Sequence, residues 1–96
     1  MLVLITYDVN TTTAAGRKRL RQVAKVCQSF GQRVQCSVFE CLIDAAQATV
    51  LKNDLAAIID PEKDSLRFYY LGNHYKTKVE HIGARSTLDM DENLLV

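Results

Sequence analysis

Asp8 is the residue from which chemistry is most readily built. It closes the stretch Leu2-Val3-Leu4-Ile5-Thr6-Tyr7-Asp8-Val9-Asn10, in which an unbroken aliphatic run leads to an acid and then an amide. A carboxylate is a hard oxygen ligand of the kind Mg²⁺ takes, and Mn²⁺ or a similar divalent ion accepts the same donor. One carboxylate makes a poor site for such an ion, and no second acid lies near Asp8 in the sequence. A two-fold symmetric dimer removes that difficulty. Where the ends of two first strands meet at the axis, Asp8 from each chain shares one ion. This arrangement suits metal-assisted hydrolysis of a phosphodiester. The plainer reading makes Asp8 a turn or cap residue, positions that Asp and Asn favour. The residues alone leave both readings open.

Other chemistries find little support. The chain has no Gly-rich phosphate loop, no GxSxG motif and no paired histidines. His74 is expected in a polar loop and His81 on an edge strand, both as surface residues. The three cysteines, Cys27, Cys36 and Cys41, lack CxxC spacing and read as buried reduced thiols of a cytosolic, hence cytoplasmic, protein. Tyr69 and Tyr70 are adjacent strand residues, one facing each side of a sheet. No RNP1-like sequence supports base stacking of the RNA-recognition type.

Charge points to a polyanion. The net charge is only +1, but no acid occurs between Asp8 and Glu40, where Arg17, Lys18, Arg19, Arg21, Lys25 and Arg33 all lie. The compensating acids come later, several of them at Asp89, Asp91 and Glu92. A local basic field is what a nucleic acid senses, whatever the average. At about 100° per residue, Arg17, Lys18, Arg21 and Lys25 gather on one flank of a helix, with Arg33 beyond its end. The competing reading is a solvated helix face.

The elements that must position these groups follow from periodicity. Residues 2–8 form an apolar strand covered on both sides. Thr11-Thr12-Thr13 supplies an N-cap to a helix over residues 14–30, with Leu20, Val23, Ala24, Cys27 and Phe30 as its buried stripe and Gly31 as its C′ glycine. Residues 33–43 read as two antiparallel segments meeting near Gln35 to Ser37. Asp44 and Gln47 form a capping box for a helix from Ala45 to about Ile59, which Asp60-Pro61 stops. Glu62-Lys63-Asp64 is a surface turn, Ser65 to Leu71 a strand closed by Gly72, Asn73 to Lys78 a polar loop, and Val79 to Ile82 a short edge strand.

This order is the split βαβ pattern of an α+β, ferredoxin-like βαββαβ sandwich with an extra C-terminal edge strand. Ninety-six residues allow one domain, here residues 1–83, with a tail over 84–96 that ends in the apolar Leu94-Leu95-Val96. No apolar run approaches membrane-spanning length, and residues 2–5 are too few and lack the basic flank and small-residue cleavage site expected of a signal peptide.

Three segments carry a resemblance. Tyr7-Asp8-Val9 closes an apolar first strand. Arg33-Val34-Gln35-Cys36-Ser37-Val38-Phe39-Glu40 follows a basic helix, and Asp64-Ser65-Leu66-Arg67-Phe68-Tyr69-Tyr70-Leu71-Gly72 comes third. Together they resemble the small CRISPR-associated adaptation endonuclease family, the lesser partner of the spacer integrase. The resemblance implies a homodimer in which Asp8 is the magnesium ligand and catalytic residue, and a C-terminal strand that completes the partner's sheet. It further implies metal-dependent cleavage of RNA or DNA, and bridging of integrase dimers during spacer acquisition. Two rivals are a non-catalytic scaffold that binds duplex DNA and integrase, with Asp8 a structural turn residue, and a bare regulatory module.

Overall fold

β1 (Leu2–Asp8) sits inside the sheet, paired antiparallel on one side with β3 (Val38–Leu42) and on the other with β4 (Ser65–Gly72). β2 (Gln32–Gln35) flanks β3, so the order is β2-β3-β1-β4, the arrangement of a ferredoxin-like fold. α1 (Ala14–Phe30) and α2 (Ala45–Ile58) complete it. The computed structural model describes residues 1–84. No helix among them is long and apolar enough to cross a membrane.

The period of two along β1 divides its side chains between two faces. Val3, Ile5 and Tyr7 point to the helices and form the core with Val23 and Cys27 of α1, Leu51 and Leu55 of α2, and Phe39 and Cys41 of β3. Burying each large aliphatic side chain here stabilises the fold by about 1.5–3 kcal/mol. Leu4, Thr6 and Asp8 point to the other face. The register places Glu40 and Tyr69 beside Leu4, and Val38 and Arg67 beside Thr6.

Local signals hold as expected. Thr13 Oγ1 accepts the Gly16 N–H, and Asp44 and Gln47 form the reciprocal capping box. β2 and β3 meet in a turn at Cys36 and Ser37, with a register shift between Arg33 and Gln35.

Several expectations are corrected. Val79–Ile82 is not a strand; residues 79–82 are irregular and Ile82 is 91% exposed, because among the described residues nothing folds against them that could complete a ladder. The loop before them contains a 3₁₀ turn at Tyr75–Thr77. Gly31 ends α1, but with φ −165°, which is extended rather than left-handed backbone. Glycine is needed there for closeness: a β-carbon would overlap the Glu40 carbonyl and the Cys41 sulfur of β3. Cys36 is exposed in its turn, whereas Cys27 and Cys41 are buried. Burial pushes the Cys27 thiol up to about 12 and the Cys41 thiol up to about 11, so both stay protonated and inert. Asp64 is not a surface turn residue; it is buried. Of the tail, Arg85 and Leu94-Leu95-Val96 lie outside the described residues.

Candidate functional site

Asp8 is the last paired residue of β1 and faces Ser65, the first of β4. Its side chain is exposed and shares the helix-free face with Thr6 and Arg67. Arg67 is its diagonal neighbour, a relationship that spans about 7–8 Å between strands. The Arg67 guanidinium instead donates to the Tyr69 hydroxyl at 3.1 Å and lies 6.0 Å from that ring's centroid. Among the described residues, no hydrogen bond or ion pair engages the Asp8 carboxylate.

The backbone around Asp8 is held from both sides. Before it, the Tyr7 N–H donates to the Ser37 carbonyl oxygen at 3.1 Å, and the Tyr7 ring packs in the core beside Phe39. Desolvation raises the Tyr7 pKa, so its hydroxyl remains a donor. After it, Val9 is buried and the Asn10 N–H donates to Asp64 Oδ1 at 3.0 Å. Asp64 also accepts from Arg19 Nε at 2.7 Å and from the Asp60 N–H at 2.9 Å. The Arg19 hydrogen bond, helped by the Asp60 and Asn10 amides, holds the Asp64 carboxyl at about 2 against the opposing effect of burial.

A divalent ion would find part of its shell here. Asp8 is a hard oxygen donor that no cation among the described residues engages, which fits one ligand position. Among the described residues no group of three or more His, Cys, Asp or Glu side chains lies close enough to hold a metal. Mg²⁺ is bound through one or two carboxylates and keeps several waters. Among the described residues, Asp8 would fill one ligand position of such a shell and no second acid groups with it.

The basic residues lie elsewhere. Arg17, Lys18, Arg21 and Lys25 are all exposed on the side of α1 turned away from the buried Gly16, Val23 and Cys27. The ridge is therefore on the outer surface of the helix layer, and Asp8 on the opposite face of the sheet. Arg17 reaches furthest toward the strand end, donating from Nη1 to the Thr11 carbonyl oxygen at 3.2 Å. Arg33 is exposed on β2, its guanidinium 5.2 Å from the centroid of the Phe39 ring. It joins neither group.

Arg19 and Asp64 are the pair that sequence reasoning missed. Arg19 is two residues from both Arg17 and Arg21, which turns it about 200° away from each around the helix. That angle was the available signal that it does not belong to the ridge. Its partner, 45 residues on, had none.

The architecture defines a ferredoxin-like α+β protein with a lone, braced carboxylate at the end of its first strand and a separate basic surface. Residues 1–79 match the family described as CRISPR associated protein Cas2. A relative from Halalkalibacterium halodurans, named CRISPR-associated endonuclease Cas2, is 63% identical over 95 residues, covering 99% of each chain. One from Chlorobaculum tepidum, named CRISPR-associated endoribonuclease Cas2, is 55% identical over the whole of both chains. The crystal structure of Streptococcus pyogenes Cas2 at pH 6.5 superimposes with a TM-score of 0.75 at 57% identity, covering 86% of this chain and all of that one. The chain belongs to the Cas2 family.

Proposed function

We propose that this protein is a homodimeric, divalent-metal-dependent endonuclease of CRISPR adaptation that works in the cytoplasm. The observation that carries the reading is Asp8: an exposed carboxylate, claimed by no cation among the described residues, at a strand end braced on both sides. The names of the relatives, endonuclease and endoribonuclease, support the activity and leave DNA and RNA both as substrates. Asp8 and the Asp8 of a second copy would hold Mg²⁺ or Mn²⁺. Bound there, the ion supplies charge stabilisation at the phosphate and a water of lowered pKa. The braced backbone fixes the direction of the Asp8 carboxylate. Arg67 adds a positive charge on the same face. Arg17, Lys18, Arg21, Lys25 and Arg33 bind phosphates without reading sequence.

Dimerisation is supported by the helix-free face, where Leu4, Val38, Leu42 and the 40% exposed Tyr69 gather, and by the edge of β4, which no described strand pairs. Residues 79–82 would then find their ladder on the partner's sheet.

A second reading, a scaffold that binds duplex DNA and bridges integrase dimers in spacer acquisition, is favoured by the separation of the ridge from Asp8. A nuclease assay of wild type and Asp8→Ala with and without Mg²⁺, across single- and double-stranded RNA and DNA, divides the two. Loss of cleavage in the folded variant supports the nuclease. Equal cleavage in both proteins removes Asp8 from the mechanism, and duplex binding with no cleavage by wild type leaves the scaffold.

A further inference from the structure

Asn10, two residues beyond Asp8, is held from three directions. Its N–H donates to Asp64 Oδ1 at 3.0 Å. Its carbonyl oxygen lies so close to Gly16 that a β-carbon there would overlap it. Its side-chain Oδ1 accepts the Thr12 N–H at 3.0 Å and the Thr12 hydroxyl at 2.7 Å. Asp64 is fixed in turn: its side chain has 0% exposure, Arg19 approaches through Nε at 2.7 Å and Nη2 at 3.4 Å, and the Asp60 N–H bonds Oδ2 at 2.9 Å. Asp64 also stands directly before Ser65, the residue across from Asp8. One carboxylate therefore bonds the chain just after Asp8 and is covalently joined to the strand facing it.

A buried ion pair contributes little net stability over apolar packing, because desolvation offsets much of its Coulombic gain. What it fixes is geometry. We infer that Asp64 and Arg19 are positioning residues for Asp8. They set the backbone at Val9 and Asn10, and so the direction in which the Asp8 carboxylate leaves the end of β1. The inference rests on the reading of Asp8 as a metal ligand. Neither residue touches the ion or the substrate; both act through the Asn10 amide.

The test compares the full-length wild type with Asp64→Asn, Arg19→Lys, Asp8→Ala and, as a control on the exposed side of α2, Asp54→Asn. Each is used at a temperature where circular dichroism finds it fully folded. Mn²⁺ alone is titrated while broadening of backbone amide signals near Asp8 is followed, and cleavage rate is measured against metal concentration. In Asp64→Asn the Mn²⁺ midpoint should rise and the rate should fall by about 10- to 100-fold, the scale of a misplaced catalytic group. Arg19→Lys keeps the charge but loses the fork, and should move both readouts the same way by less. It carries the test if Asp64→Asn does not fold. Asp54→Asn should behave as wild type. A purely structural role would lower the melting temperature and leave the Mn²⁺ midpoint of the folded protein unchanged, which would overturn the inference. If Asp8→Ala still binds Mn²⁺ and cleaves as wild type does, the reading of Asp8 falls and takes the inference with it. If Asp8→Ala loses both while Asp64→Asn and Arg19→Lys keep both, the inference falls alone.

Discussion

The Tyr7 hydroxyl donates to the carbonyl oxygen of Cys36 at 3.3 Å, tying the residue before Asp8 to the turn between β2 and β3. The ring beneath that hydroxyl packs 6.2 Å from Phe39, centroid to centroid. The two contributions separate by mutation. Tyr7→Phe keeps the ring and loses one hydrogen bond, so stability should fall by about 0.5–1.5 kcal/mol. Tyr7→Ala opens a cavity in the core, at a cost of about 3–5 kcal/mol on the scale of aromatic truncations. Urea midpoints of the two variants measure both; equal losses would mean that the ring contributes nothing.

Asp64 predicts how stability responds to acid. Hydrogen bonding to Arg19 first, and then to the Asp60 and Asn10 amides, lowers its carboxyl to about 2 in the folded protein. An unfolded Asp titrates near its ordinary value of about 3.9. A depressed folded pKa contributes stability that is fully present above the unfolded value and lost as pH falls through the folded one. Wild type should therefore lose stability between about pH 4 and about pH 2. Asp64→Ala, which removes the acceptor from the Arg19 side chain and the Asp60 and Asn10 amides, should be less stable by about 1–3 kcal/mol at neutral pH. The gap between the two proteins should narrow toward pH 2. Denaturation series at several pH values check this, and a gap that stays constant would show that Asp64 is not the group responsible.

The contrast between what was legible and what was not follows the range of each interaction. The strands, the helices and their caps come from neighbours in sequence: the aliphatic run of β1, the spacing of Val23 and Cys27, the pairing of Asp44 with Gln47. Asp8 was legible as a strand end for the same reason. The bracing of Asp8 was not, because Arg19 meets Asp64 and Tyr7 meets Cys36 only once the sheet and helices are assembled. Val79-Glu80-His81-Ile82 has the alternation of a strand, but alternation specifies faces and cannot supply the neighbour that a ladder requires. Gly31 shows a further limit. Its identity marks a demanding backbone position, yet whether the demand is a positive φ or a close approach depends on β3, which comes later in the chain.

The edge of β4, which no described strand pairs, and the exposed Ile82 bear on oligomeric state. Full-length protein should sediment as a dimer at micromolar concentration. Deleting residues 79–96 removes the segment proposed to pair with the partner's sheet and should give monomers or aggregates, since an unpaired edge invites other chains. A well-behaved full-length monomer would contradict the shared site at Asp8, because that site draws one Asp8 from each of two copies.

The basic ridge is the remaining test of whether the protein grips nucleic acid. Arg17, Lys18, Arg21 and Lys25 are exposed along one side of α1 and, in a dimer, would be presented twice. Each phosphate contact releases counterions, so the logarithm of affinity falls with the logarithm of salt concentration in proportion to the number of contacts. Arg17 and Arg21 lie off the buried stripe, and replacing both by Ala should leave folding intact. Arg17 has an added local role through its bond to the Thr11 carbonyl, so its single variant is needed beside the double one. The double variant should bind every duplex sequence more weakly and lower the salt slope by about one unit per lost contact. Charges that merely keep a helix soluble would leave affinity and slope as in wild type. That outcome would move the binding surface to Arg33, Lys76 and Lys78, which are also exposed. Titrations at several salt concentrations separate the two outcomes, because a folding defect lowers the active fraction without changing the slope.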